Sequence, residues 1–144
     1  MAKRIRVIVL EPQGRAHIED VEDSLEDFQR LVGGLIEHHQ LTPPCPTGAG
    51  LHLFGNEEAI AEDLAPNLWG LVLGGPFLGP LVLFREDRHD HKVNITPADE
   101  QYWTGDLKRI LDGQLEELGL RPREPYAVVI GWSGDEPPAL QPEP

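Results

Sequence analysis

The stretch SLEDFQRLVGGLIE, Ser24 to Glu37, carries a helical pattern into two glycines and resumes with apolar residues. Ser24 is an N-cap residue, and Asp27 stands three positions later, where an acid belongs in a capping box. Leu25, Phe28, Leu31 and Val32 share one stripe, which predicts a helix over 25–32. Two readings of Gly33-Gly34 compete. A phosphate loop runs strand, glycines, helix, so that the helix amino end faces the anion. Here the helix comes first and no lysine adjoins the glycines. The pair therefore reads as a helix stop, with Gly33 in the left-handed conformation that glycine adopts without steric cost. Leu35 follows at a position that commonly packs back onto the last turn, and Leu35 to Leu41 reads as a strand.

Working outward, Ile5, Val7 and Val9 alternate with Arg6 and Ile8, and Glu11-Pro12-Gln13-Gly14 supplies a turn. That pattern predicts a hairpin with strands near 4–10 and 16–21. Thr42 to Gly50 reads as a loop, and Leu51, Leu53 and Phe54 as a short strand ending at Gly55. Asn56-Glu57-Glu58 is expected to open a short helix running to about Asp63, closed by Pro66-Asn67. The runs GLVLGG and PLVLF read as a bent pair of strands, since Pro76 and Pro80 each remove a ladder donor. REDRHDHK reads as a polar loop.

Thr96-Pro97-Ala98-Asp99 is the clearest helix start, with an N-cap, a first-turn proline and an acid at the third position. Trp103, Leu107, Ile110, Leu111, Leu115 and Leu118 keep the helical period to Gly119, weakened by Gly105 and Gly113. Tyr126 to Ile130 is a last strand candidate, and the proline-rich acidic stretch 133–144 reads as a disordered tail after a single domain over 1–132. The order implies an α+β fold: a mainly antiparallel sheet with two main helices packed on one side of it.

The totals narrow the functions. A chain of 144 residues forms one domain that buries roughly 68–70% of its unfolded surface. Its formal charge of -13 repels phosphate backbones and anionic lipid, so it argues against direct nucleic-acid or membrane contact and for a basic protein partner. A lone cysteine, Cys45, forms no internal disulfide, which suits a reducing compartment. No run reaches the ~18–20 apolar residues of a membrane span, and Val7 to Leu10 is shorter than a signal-peptide core. The expected location is cytoplasmic.

The succession of an IRVIVLEP strand, SLEDFQRLVGGLIE, GNEEAIAEDLAPN, WGLVLGGPFL and NITPADEQYW, spanning roughly Ile5 to Trp103, resembles the domain of unknown function family 3846. Such domains carry an N-E-E-G loop and a P-P-N turn. Asn56-Glu57-Glu58 fits the first with Ala59 in place of glycine, and Ala65-Pro66-Asn67 fits the second. The alanine points to a more helical loop. The resemblance implies the fold and an association with bacteria, phages and mobile elements, and carries no reaction.

Asn56, Glu57, Glu58 and Asn67 form the leading binding cluster, since polar loop residues beside a sheet can converge on a ligand. Helix capping accounts equally for all of them except Asn67. Glu19, Asp20, Glu22, Asp23, Glu26 and Asp27 make an acidic run without lysine or arginine. It is either a solvated edge or a face that meets a basic protein. His89 and His91 could share a side of an extended segment, and His38 and His39 point to opposite faces of a strand. None of these spacings matches an established zinc framework, and no cofactor or metal is implied. Gly131 to Glu136, GWSGDE, only faintly echoes a nucleophile elbow, and Cys45 has no histidine nearby in sequence. Three functions follow: a regulatory module acting through protein contacts, an acidic nucleic-acid mimic that blocks a DNA-handling enzyme, and a small hydrolase or transferase using loop carboxylates and histidines.

Overall fold

All four residues of the run Leu81–Phe84 are buried, which places that strand at the middle of a sheet covered on both faces. The computed structural model describes residues 3–40, 50–120, 129–130 and 139–140. Its elements in order are β1 (Arg4–Leu10), β2 (Ala16–Glu22), α1 (Leu25–Val32), β3 (Ile36–Gln40), β4 (Leu51–Asn56), α2 (Gly70–Leu73), β5 (Leu81–Glu86), β6 (Lys92–Val93), α3 (Pro97–Gln101), a π-helical segment (Tyr102–Asp106) and α4 (Leu107–Glu117). The main sheet runs β2-β1-β5-β4-β3, with β6 paired to β5. Every pairing is antiparallel. This is the expected α+β sheet.

The helices, however, lie on both faces. Leu81 and Leu83 pack with Ile8, Leu10, Leu51, Leu53 and the α4 residues Leu107, Leu111 and Leu115. Val82 and Phe84 pack with Val7, Val21, Phe54 and the α1 residues Phe28 and Val32. A strand without polar alternation has two faces to cover, and α1 covers one while α3 and α4 cover the other. The expected one-sided layer is corrected accordingly.

Local chemistry sets the element ends. Ser24 Oγ accepts from Asp27 N at 3.2 Å, as the N-cap reading requires. Asp27 reaches past Ser24 and accepts from Glu22 N at 2.8 Å. Gly33 caps α1 with φ 82° and donates its N–H to Gln29 O. At the second start both halves of the capping box form, Asp99 N to Thr96 Oγ1 at 3.0 Å and Thr96 N to Asp99 Oδ2 at 2.8 Å. The buried stripe of the last helix is Trp103, Leu107, Leu111 and Leu115, while Ile110 and Leu118 are exposed. Gly105 lies within the π-helical segment and lowers helix propensity there.

Four expectations change. Glu57 to Asp63 forms successive turns instead of a helix and ends with Asp63 at φ 53°. GLVLGG is a single helical turn, Gly70–Leu73, capped by Gly74 at φ 83°, and only the second apolar run is a strand. The chain doubles back so closely there that a Cβ on Gly70 would lie 2.5 Å from Gly75 O. Leu35 is 50% exposed instead of packing onto the helix end. REDRHDHK contributes to β5 and β6, with Asp87–His91 as their connecting turn.

Leu41, the loop segment Thr42–Ala49 with Cys45, the strand candidate at 126–128 and most of the tail lie outside the described residues. Val129–Ile130 pairs antiparallel with Ala139–Leu140.

Arg85 and Asp99 join β5 to the start of α3. Arg85 Nε lies 2.9 Å from Asp99 Oδ2, Arg85 Nη2 lies 2.7 Å from Oδ1, and the Asp99 side chain is fully buried. One carboxylate thus serves both the helix cap and the guanidinium. Asp99→Ala should cost about 3–5 kcal/mol, because it removes the carboxylate that pairs with the largely buried Arg85 guanidinium and strips the cap together. Asp99→Asn, which keeps an acceptor for the Thr96 amide, should cost less. Urea unfolding of both variants checks the order.

Candidate functional site

The polar residues singled out by sequence lie at one end of the sheet. Leu10 pairs with Leu81 and Phe54 with Val82, so the ends of β1 and β4 flank the start of β5. Asn56 closes β4 and Asn67 lies in the returning loop; both are buried.

Asn56 holds a junction of three segments. Its Nδ2 donates to Val32 O at 3.2 Å and to Glu62 Oε1 at 3.3 Å, and its Oδ1 accepts from Glu58 N at 2.7 Å. The amide satisfies a carbonyl left open at the end of α1 and forms an Asx turn that starts the next loop. A Cβ on Gly34 would sit 2.8 Å from Asn56 Nδ2. The two glycines therefore have separate reasons: Gly33 supplies the left-handed cap, and Gly34 makes room for Asn56. Glu57 N donates to Leu35 O at 2.8 Å, and the side chains of Glu57 and Glu58 are exposed.

Asn67 holds a second junction. Its Nδ2 donates to Leu10 O at 3.0 Å and Gly79 O at 2.8 Å, while Oδ1 accepts from Trp69 N at 2.9 Å. Asn67 N donates to Phe77 O and Gly79 N to Ala65 O, so the GGPFLGP segment lies antiparallel to Ala65–Asn67. Trp69 Nε1 donates to Arg15 O at 3.0 Å, tying the β1–β2 turn to the same loop. Asn56 and Asn67 therefore share an end of the sheet with their amides spent within the fold, and the side chains of Glu57 and Glu58 face solvent.

The acidic run divides between both faces of β2. Val21 packs toward α1 and Ile18 toward α4, so Glu19 lies on the α1 side and Asp20 and Glu22 on the other. The fold brings cations from elsewhere: Glu19 meets His17 at 2.8 Å and Arg30 at 3.7 Å, Asp23 meets Lys92 at 3.7 Å, and Asp27 meets Arg30 at 3.8 Å. Asp20, Glu22 and Glu26 are exposed.

His17 lies between Glu11 and Glu19, with Nδ1 at 2.9 Å and Nε2 at 2.8 Å from their carboxylates. Burial alone would lower its pKa, but the hydrogen bonds and charges of Glu19 and Glu11 outweigh it and raise the pKa above 6.5. Asp87 is held below the usual carboxylate range by backbone N–H donation from His91 and His89, with 3.0 and 2.8 Å contacts to Oδ1. His89 and His91 are exposed with rings 6.3 Å apart, and their shared anchor is Asp87. Among the described residues, no group of three or more His, Cys, Asp or Glu side chains is placed to hold a metal ion.

A histidine arrangement absent from the sequence reading appears on the α1 side. His38 Nε2 lies 2.8 Å from His52 Nδ1, and His52 Nε2 lies 3.3 Å from Glu86 Oε1. His52 rests on Phe84 at 5.5 Å between ring centroids, and the Lys92 ammonium lies 5.6–5.8 Å from the rings of Phe28, Phe54 and Phe84. Burial lowers the His52 pKa, assisted by His38 and Lys92 and opposed by Glu86 and Asp90. His39 points to the opposite face, as alternation requires, and meets Phe77 edge-on at 5.2 Å. Only a local signal, the polar alternation of His38 and His39, pointed toward this cluster; the pairing with His52 and Glu86 is set by strand register.

A family model described as a domain of unknown function (DUF3846) matches residues 5–108. No curated protein and no solved structure matches the chain. No helix among the described residues is long and apolar enough to cross a membrane.

Two outcomes follow. Gly34→Ala should destabilise by about 1–3 kcal/mol through overpacking against Asn56, and less so in an Asn56→Ala background; a double-mutant cycle by chemical denaturation measures the coupling. Because the folded pKa of His17 is raised, its contribution is full below 6.5 and is lost as pH rises through the folded value. His17→Gln should therefore lower the thermal midpoint more at pH 5.5 than at pH 8.5 (about these values, either side of the shift), and an equal loss at both would refute the assignment.

Proposed function

The chain belongs to the DUF3846 family, and on that premise we propose that it is a small binding and regulatory module that acts through protein contacts with a basic partner. The observation that carries this reading is the surface built over the Asn56 junction. Ile60 is 85% exposed with exposed Glu57, Glu58, Glu62 and Asp63 on either side of it in sequence, and Leu35, whose carbonyl accepts from Glu57 N, is 50% exposed. From Gly33 to Phe84 the sequence holds no lysine or arginine. Asn56 fixes the backbone under this surface, so the apolar and acidic groups are presented without the cost of ordering a free loop.

An apolar anchor flanked by acids in sequence suits a basic surface with a small hydrophobic recess. The apolar contact supplies affinity, and the carboxylates select the partner and speed its approach. The mimic reading has less support, since the acidic run is split between two faces and three of its members meet cations of the same chain.

Affinity capture with the full chain in parallel with Ile60→Asp and with Glu57→Lys/Glu58→Lys tests this. Ile60→Asp should weaken capture of the same basic protein by ten-fold or more (about 1.4 kcal/mol), and the lysine variant should weaken it most at low salt. A partner retained equally by both variants would rule out this surface.

A further inference from the structure

The cross-strand meeting of His38 and His52 has a second chemical consequence. We propose that these two imidazoles form a coordination site for a first-row divalent metal ion, with Glu86 as the carboxylate that orients His52. The ring centroids are 4.9 Å apart with 28° between planes, while the facing nitrogens are only 2.8 Å apart. Those values put the nitrogens between the rings, edge toward edge, so that the lone pair of one is directed at the other.

Glu86 Oε1 lies 3.3 Å from His52 Nε2 and places the ring N–H there, which leaves Nδ1 as the nitrogen with an available lone pair. A carboxylate behind a ligating histidine is the usual way its tautomer and orientation are held. Phe84 under His52 and Phe54 at 5.9 Å from His38 limit how the rings can turn. His38 is exposed and the His52 side chain is 16% exposed, so the pair opens to solvent on the His38 side.

In the free protein His38 donates Nε2–H to His52 Nδ1. On metal binding the His38 N–H passes to its Nδ1, and two bonds form, metal to His38 Nε2 and metal to His52 Nδ1. Both imidazoles stay neutral and no net proton is released. Metal–nitrogen bonds of about 2.0–2.1 Å do not fit on the present nitrogen–nitrogen line, so binding requires the exposed His38 to swing off that line until both lone pairs converge on the ion with the nitrogens roughly 3–3.4 Å apart. Among the described residues, the charges that act on His52 besides His38 are those of Glu86 of β5, Lys92 of β6 and Asp90 of the connecting turn. Lys92 opposes a cation, and Asp23 at 3.7 Å from its ammonium offsets it. With no third protein ligand among the described residues, water fills the other positions, and the order of affinity follows the imidazole-binding series with copper(II) above nickel(II) and zinc(II).

Isothermal titration of the full chain with copper, nickel and zinc chlorides in a non-coordinating buffer near neutral pH is the test. One equivalent should bind, copper tightest. His38→Ala, an exposed position whose fold is verified by circular dichroism, should weaken binding at least ten-fold, and Glu86→Gln by roughly 10–100-fold. His89→Ala/His91→Ala should leave the isotherm unchanged. Absence of binding by any of the three metals overturns the proposal, as does an isotherm unaltered by His38→Ala or abolished by the His89/His91 variant. A Glu86→Gln variant that binds as tightly as the wild type overturns the role given to Glu86.

Discussion

Burial of β5 on both faces is the constraint on which the rest of the architecture depends. Leu81, Val82, Leu83 and Phe84 have exposures of 0–1%. Fully burying each such side chain contributes about 1.5–3 kcal/mol, but only if something apolar covers it. The chain therefore has to send α1 across one face and α3 with α4 across the other. A sheet enclosed in this way leaves polar groups only its edges, its ends and the turns. The two asparagine junctions, the Arg85–Asp99 pair and the histidine pair all sit in such places.

Local signals were legible where a few neighbouring residues decide the outcome. The β1–β2 hairpin, α1 with its Ser24 cap and Gly33 stop, and the capping box at Thr96 all follow from chemistry within four or five positions. The loop at 57–63 and the turn at 70–73 were misread because their conformations are set from outside. Asn56 reaches back to Val32, and Asn67 reaches to Leu10 and Gly79. Those contacts stabilise turns where propensity alone favoured a helix and a strand. The one-sided layer failed for a related reason. A continuous apolar run such as PLVLF states that a strand is buried, and gives no sign of which later segment covers each side.

The candidate site was legible as residue types and illegible as geometry. Asn56 and Glu57-Glu58 stand out by composition, yet which side chains are consumed and which are presented depends on partners as distant as 24 residues in sequence. His38 was assigned correctly to a face opposite His39, but its neighbour His52 lies 14 residues away on another strand. Register decides that meeting, and register is a long-range quantity. The acidic run likewise seemed uncompensated because Arg30 and Lys92 come to it only in the folded state.

The scarcity of ammonium groups has a further effect on covalent chemistry. The chain has three lysines, Lys3, Lys92 and Lys108, and each is engaged: Lys3 donates to the Lys92 carbonyl, Lys92 lies over three aromatic rings, and Lys108 meets Asp112 at 2.5 Å. Acylation, ubiquitin transfer or amine-directed cross-linking at any lysine must therefore break a contact that the fold already uses, while the surface around Ile60 offers such reagents no side chain to attack.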